Sequence, residues 1–458
     1  MPRTSSFNVC GRVILTLSRR SHIIVSGSIF APLMTNTRAF AFGGCCILIA
    51  GVALAGAARL EDTDYLPLDH KAILYRETPA NDAISRLQER MDKGEVKLDY
   101  QPGNFGYLPA VLKALNVNTD SQVLVFSQTS AQSRRISIRS PRAVYFNDDV
   151  AVGFVQGGEV LEFTALDPKQ GIRNYTLDSE QVKKPAFGQR QECLQCHQGP
   201  HTLGVPGLTV SSLYPPPPGM PVEHVTGGFV TDQRTAIEDR WGGWYVTGIT
   251  GKQDHLGNTV PDPIKGDVLS NRLNRTSLDD LIDTSRYLAP TSDIVALLTL
   301  EHQTRMTNLI TRTAWDTRIA IADGKLEQAR PELDADIEDM VTYMLFTNEA
   351  FSSEPVKGVS TFSKTFPQRG PKDKQGRSLR DFDLQKRLFK YPLSYVIYDA
   401  SFDAMPDWAK GRIYQRLFDV LTGKDTDPKF SRLSTQDRQA ILEIVRDTKI
   451  GLPNYFKP

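Results

Sequence analysis

The sequence predicts an α+β protein: an antiparallel β module and a loop-rich region, followed by a mainly helical C-terminal region. Three observations predict it. Between residues 121 and 180 short β-rich apolar stretches are punctuated by turn sequences, the pattern of strands joined by hairpins. From about residue 198 to 277 this gives way to sequence rich in glycine and proline. After residue 277 apolar residues recur at three- and four-residue spacing to the end of the chain, which is the period of amphipathic helices.

Residues 1–58 read as an export signal. Arg38 precedes an apolar run, 39–58, that no charge interrupts and that ends among Ala53, Ala55 and Ala57. A basic entry, an apolar middle and a small-residue exit are how a secretory signal peptide reads. Of the five cysteines, Cys10, Cys45 and Cys46 lie in or before this run, so cleavage would leave only Cys193 and Cys196. Left uncleaved, about 20 apolar residues would serve as a membrane anchor; the richness in alanine and glycine favours cleavage. Met34 opens a more conventional leader than Met1, so an over-extended start is part of the expectation. No second long apolar run follows, and 54 Lys and Arg balance 53 Asp and Glu. A chain with no net field gives no electrostatic reason to expect a nucleic acid or an acidic polymer as partner.

Residues 59–120 are expected to form a helical lead-in. Ile84, Leu87, Met91 and Val96 fall near helical spacing within 81–98, and a second short helix covers 110–115. The β module at 121–180 then carries strands at 122–126, 135–138, 142–146, 150–155, 160–166 and 173–177. Asn147-Asp148-Asp149, Gly157-Gly158 and Asp167-Pro168 supply the turns. Residues 181–276 form the loop region, with a stiff proline run, Pro215 to Pro218, inside it. In the helical region, 277–458, the clearest segments are 292–315, 332–345, 408–421 and 434–448.

The loop region opens on Cys193-Leu194-Gln195-Cys196-His197. A Cys-x-x-Cys-His run is the attachment signature of a c-type haem. One tight helical turn presents both thiols to one porphyrin edge and directs the adjacent imidazole at the iron. Given the chain's own cysteine and histidine content, the pattern arises by chance with odds of roughly one in a thousand. A thioredoxin-like pair would want a βαβ setting, which is not expected here. Zinc on Cys193, Cys196, His197 and His201 would need one short knuckle to close a tetrahedron, whereas structural zinc sites take ligand pairs from separate segments. The expected cofactor is therefore one covalent haem c, with His197 as the proximal iron ligand.

The residue opposite His197 decides between an electron carrier and an open iron. His255 is the first candidate: Gly251 and Gly257 flank it, and Asp254 or Asn258 is placed to orient its ring. His302 shares an apolar helical stripe with Val295, Leu298, Met306 and Leu309. A hydrogen-bonded core histidine is the commoner reading of such a position. His201 reads as a polar loop residue, and Met220 and His224 lie beyond the proline run. Arg240, Trp241 and Trp244 suit the wall of a haem crevice, with Arg240 for a propionate. An aromatic turn that seals the β module is an equally weighted alternative. Lys364, Arg369, Lys372, Lys374, Arg377 and Arg380 form either a docking patch for an acidic redox partner or a solvated loop.

Four blocks also carry a resemblance: residues 141–148, residues 240–248, His255-Leu256-Gly257-Asn258, and residues 301–306. They resemble the recurring blocks of a bacterial family of exported cytochrome c domain-containing proteins of uncharacterised function, over about residues 65–450. The resemblance implies an exported haem protein with His255 and His302 at family-typical positions. Leu256 departs from the methionine expected there.

The functional expectation is a periplasmic or otherwise exported mono-haem c-type cytochrome. It would exchange single electrons with a redox partner protein or a small-molecule donor or acceptor. The alternatives are a peroxidase- or oxygenase-like haem enzyme with an open distal site, and a haem-based sensor or binding protein.

Overall fold

The structure is a computed structural model and describes residues 65–213, 229–262, 266–267 and 273–457. The expected export signal and the segment 214–228, with the proline run, Met220 and His224, lie outside the described residues.

Helix α1 (Ala83–Asp92) starts at Asp82, whose Oδ1 accepts the peptide N–H groups of Ile84 and Ser85 at 2.8 and 2.9 Å. It is shorter than the expected 81–98, because Gly94 turns the backbone to φ +74°. Helix α2 (Leu108–Ala114) follows. The β module is then laid down as a meander: β1 (Val123–Val125), β2 (Arg142–Phe146), β3 (Val150–Phe154), β4 (Val160–Asp167), β5 (Gly171–Asp178) and β6 (Gly188–Gln189). Each strand pairs antiparallel with the next. Asn147 makes the β2–β3 turn by accepting the N–H groups of Asp149 and Val150, both at 3.0 Å.

The strand expected at 135–138 does not form. Ser133–Arg135 is a 3-10 turn, and the Ser137 hydroxyl accepts the peptide N–H groups of Arg139 and Ser140 at 3.3 and 3.2 Å. Serine side chains here offer the backbone local partners in place of a ladder. The sheet instead gains an edge that strand patterning did not reveal, β9 (Trp244–Tyr245), on the far side of β1. The described sheet order is β6-β5-β4-β3-β2-β1-β9. Between β6 and β9 lie the helical turn α3 (Leu194–His197) and the ribbon of β7 (Val210–Ser212) with β8 (Phe229–Thr231).

Alternation along the strands gives the sheet two apolar faces. Leu124, Ala143, Tyr145, Val152, Phe163 and Tyr175 pack with Ile84, Leu87, Leu108 and Val111 of α1 and α2. Val123, Val125 and Phe146 face the other way, into the core built around α4 (Ile294–Ala322). Asp293 caps α4 by accepting the Val295 N–H at 2.8 Å, and its second oxygen accepts those of Val359 and Ser360 at 2.8 and 2.7 Å. Helix α5 (Leu326–Met344) turns back along α4, and α6 (Asp407–Leu421) and α7 (Thr435–Thr448) close the helical region. The α+β class is as the sequence predicts.

Four of the six charges of the basic loop have acidic partners within the protein. Arg369 pairs with Asp120 at 3.7 Å, Lys374 with Asp447 at 3.0 Å, and Arg377 with Asp373 and Glu443 at 2.6 and 2.8 Å. Arg380 pairs with Asp148. These charges tie the loop to its neighbours.

Asp399 gives a prediction of pH dependence. It caps the short helix Ala400–Asp403 by accepting the Ser401 N–H at 2.7 Å. Burial, with Asp149 and Asp148 nearby, pushes its carboxyl up to about 7. An unfolded aspartate titrates near ~3.9. Between those values the folded chain holds a proton that the unfolded chain releases, so stability falls as pH rises from about 4 to about 7. Asp399→Asn keeps the cap and is expected to flatten the decline in melting temperature over that window. An unchanged slope would remove Asp399 as its source.

Candidate functional site

The Cys-x-x-Cys-His run is built as one short coil. The 3-10 turn Gln191–Cys193 leads directly into α3. Leu194 points inward and is buried with Leu66, Ile73, Tyr75, Val205 and Trp315. Gln198 fixes the far end, donating to the carbonyls of Leu66 and Gly204 at 2.9 and 3.1 Å. With that side of the turn anchored, Cys193 is half-buried, Cys196 is exposed, and both are free thiols.

His197 is held by a reciprocal pair. Its Nδ1 lies 3.0 Å from the Gly207 carbonyl oxygen, and the Gly207 N–H donates to the His197 carbonyl at 2.8 Å. A carbonyl only accepts, so Nδ1 carries the proton and Nε2 keeps its lone pair. That tautomer, fixed by a backbone carbonyl, is what a metal-ligating imidazole needs. Burial also lowers the His197 pKa below the ordinary histidine value, which keeps the ring neutral at neutral pH. The Cys193 thiol is pushed up, first by burial and then by Glu192 and Glu162. A reactive redox cysteine needs the opposite shift. His201 is exposed on the next turn, and among the described residues no three His, Cys, Asp or Glu side chains form a metal-holding group. The donor set of Cys193, Cys196 and His197 fits a c-type haem better than it fits a thiol–disulfide pair or a zinc knuckle.

Beside this loop lies a small cleft of about 30 Å³ between the sheet and α4, lined among others by Ala151, Thr164, Ile172, Leu208, Thr304 and Thr307. It begins one residue past the carbonyl that holds His197. Gly207 and the α4 side chains against this loop were not evident from the sequence, although the Gly204-Val205-Pro206-Gly207 run was a local signal of a close backbone approach.

The structure does not gather the other expected site residues here. Arg240 is buried with Nη1 3.1 Å from Glu301 Oε2, and its other nitrogens donate to the carbonyls of Gln233, Thr235 and Ala350 at 2.6–3.0 Å. Its donors are used inside the protein, in a core ion pair with Glu301 rather than toward an open crevice. Trp241 and Trp244 are buried as well. Trp241 is fully buried at φ +72°, and Trp244 sits in β9 with its indole N–H donating to the Ser211 carbonyl at 2.9 Å. They form the aromatic turn that seals the sheet.

His255 is buried edge-on to Trp241, ring centroids 5.2 Å apart. The Asn258 amide pairs with the backbone of Val246, both bonds 2.8 Å. His302 is fully buried, with Nδ1 2.6 Å from Gln233 Oε1 and Nε2 2.8 Å from the Ser394 hydroxyl. Phe346 stacks on its ring at 4.5 Å. Both nitrogens are engaged, which is the core-histidine alternative. Position along α4 separates His302, and the Glu301 partner of Arg240, from His197. The loop that holds His197 meets α4 at Asn308, while Glu301, the partner of Arg240, is about 10 Å up the helix and His302 about 9 Å. Two imidazole nitrogens on one metal would be about 4 Å apart.

Comparison with known proteins gives no matching family model, no similar curated protein and no similar solved structure. The functional reading rests on the site itself.

Proposed function

We propose that the chain is an exported mono-haem c-type cytochrome that transfers single electrons. Cys193 and Cys196 hold one haem c by thioether bonds and His197 holds its iron. The observation that carries the reading is the Nδ1 contact of His197 with the Gly207 carbonyl, 3.0 Å, on a histidine that directly follows a Cys-x-x-Cys pair. Bound there, the haem supplies a one-electron couple. The chain's residues do the rest: the Gly207 carbonyl keeps the imidazole in one tautomer, the buried Leu194 and Gln198 fix the turn, and the exposed Cys196 leaves that edge open to a partner. The partner would be a redox protein or a small-molecule electron donor or acceptor. Export is read from residues 1–58, and membrane attachment would come only from that segment left uncleaved. No helix among the described residues is long and apolar enough to cross a membrane.

A second reading, a haem enzyme or sensor with an open iron, is favoured by one observation. His255 and His302, the expected distal ligands, are both packed elsewhere. Visible spectra of the reduced protein before and after carbon monoxide separate the two. A low-spin spectrum unmoved by carbon monoxide supports the carrier. A spectrum that shifts supports the open iron, and peroxide and oxygen turnover would then be assayed.

A further inference from the structure

Helix α4 meets the haem loop through one stripe of side chains. Trp315 packs under Leu194, Arg312 donates to the Leu203 carbonyl at 3.0 Å, and Thr311 lies against Gly171 of β5. Asn308 does something different. Its Oδ1 accepts the Leu208 N–H at 3.2 Å and its Nδ2 donates to the Leu208 carbonyl at 2.9 Å. The Leu208 N–H and the Gly207 C=O belong to one peptide group, and that carbonyl holds His197 Nδ1. Asn308, the 207–208 peptide and His197 therefore form a single hydrogen-bonded chain, in which each bond polarises the next. Contact is so close that a Cβ at position 207 would lie 2.4 Å from Asn308 Oδ1, which only glycine avoids. Asn308 is buried, so no solvent competes for these bonds.

We propose that Asn308 is the positioning residue for His197: through the 207–208 peptide it fixes the imidazole tautomer and the direction of Nε2, and so tunes the iron. The geometry stands without a cofactor; the tuning rests on the haem reading. A polarised carbonyl draws the Nδ1 proton and makes the imidazole a stronger donor to the metal.

The test has two arms. In the haem-free full chain with ¹⁵N-labelled histidine, long-range ¹H–¹⁵N spectra report the His197 tautomer. The wild type and Thr311→Ala, which trims α4 one turn away where it meets β5 rather than this peptide, are expected to hold the Nδ1–H form. Asn308→Ala is expected to lose it several-fold to the Nε2–H form, and Asn308→Asp, which keeps the acceptor for Leu208, to fall between. If Asn308→Ala does not fold, Asn308→Asp against Thr311→Ala decides. A wild-type tautomer ratio in the folded Asn308 variants would overturn the proposal. In haem-loaded protein, Asn308→Ala is expected to raise the reduction potential while Thr311→Ala leaves it unchanged; equal potentials overturn the tuning. Absence of covalent haem from every form would sink the haem reading, and the tautomer arm would still decide the positioning.

Discussion

Arg240→Ala is expected to cost about 3–5 kcal/mol of stability, the usual loss when one partner of a buried ion pair is removed. Domains of this kind have only about 5–15 kcal/mol in total. The expectation follows from what the substitution leaves behind. Glu301 is fully buried, and its carboxylate is shared by Arg240 Nη1 at 3.1 Å and the Thr231 hydroxyl at 2.7 Å. Burial already pushes its pKa up, and Arg240 is the first influence holding it down. Without the guanidinium, the Gln233, Thr235 and Ala350 carbonyls also lose their donor. Arg240→Lys keeps the charge but not the planar fork, so it should lose less than alanine and more than nothing. Replacing both partners by methionine should recover much of the loss, because no charge is then left buried alone. Urea unfolding midpoints of the four proteins check the series. An Arg240→Ala midpoint equal to the wild type would contradict the ion pair.

His197→Ala is expected to have the largest effect on the proposed haem site and little effect on covalent attachment. On the proposed reading the thioether bonds would be made by Cys193 and Cys196, so haem should remain on the chain after denaturation. The iron would lose its protein ligand, and the visible spectrum should change from the wild-type form. His302→Ala should do the reverse. It empties a fully buried space between Gln233, Ser394 and Phe346, at a cost of about 3–5 kcal/mol by analogy with aromatic truncation. The ligand-field spectrum of whatever remains folded should be that of the wild type. A spectrum lost in His302→Ala but kept in His197→Ala would exchange the roles assigned to these two residues.

How much of this was legible in the sequence depends on the range of the interaction. The meander of β2 to β5 was legible because each strand's partner is its neighbour and the turns at Asn147 and Asp167 carry their own hydrogen-bond signals. Helices α4, α6 and α7 were legible from their apolar period. The edge strand β9 was not, because two residues carry no period and their partner, β1, lies more than a hundred positions earlier. The same limit applied at the site. Cys193, Cys196 and His197 form a local motif, read directly. The Gly207 carbonyl is ten residues away and Asn308 more than a hundred, and nothing in the neighbourhood of Asn308 marks it. Arg240, Trp241, His255 and His302 were singled out because buried polar and aromatic residues look alike whether they face a cofactor or one another. Only their partners distinguish the two.

The most direct test of the central account is the mass of the denatured chain after export in a host that attaches haem c, compared with Cys193→Ala/Cys196→Ala. The account predicts one haem retained through denaturation in the wild type and none in the double variant. A wild-type chain of bare polypeptide mass, or haem kept by the double variant, would contradict it.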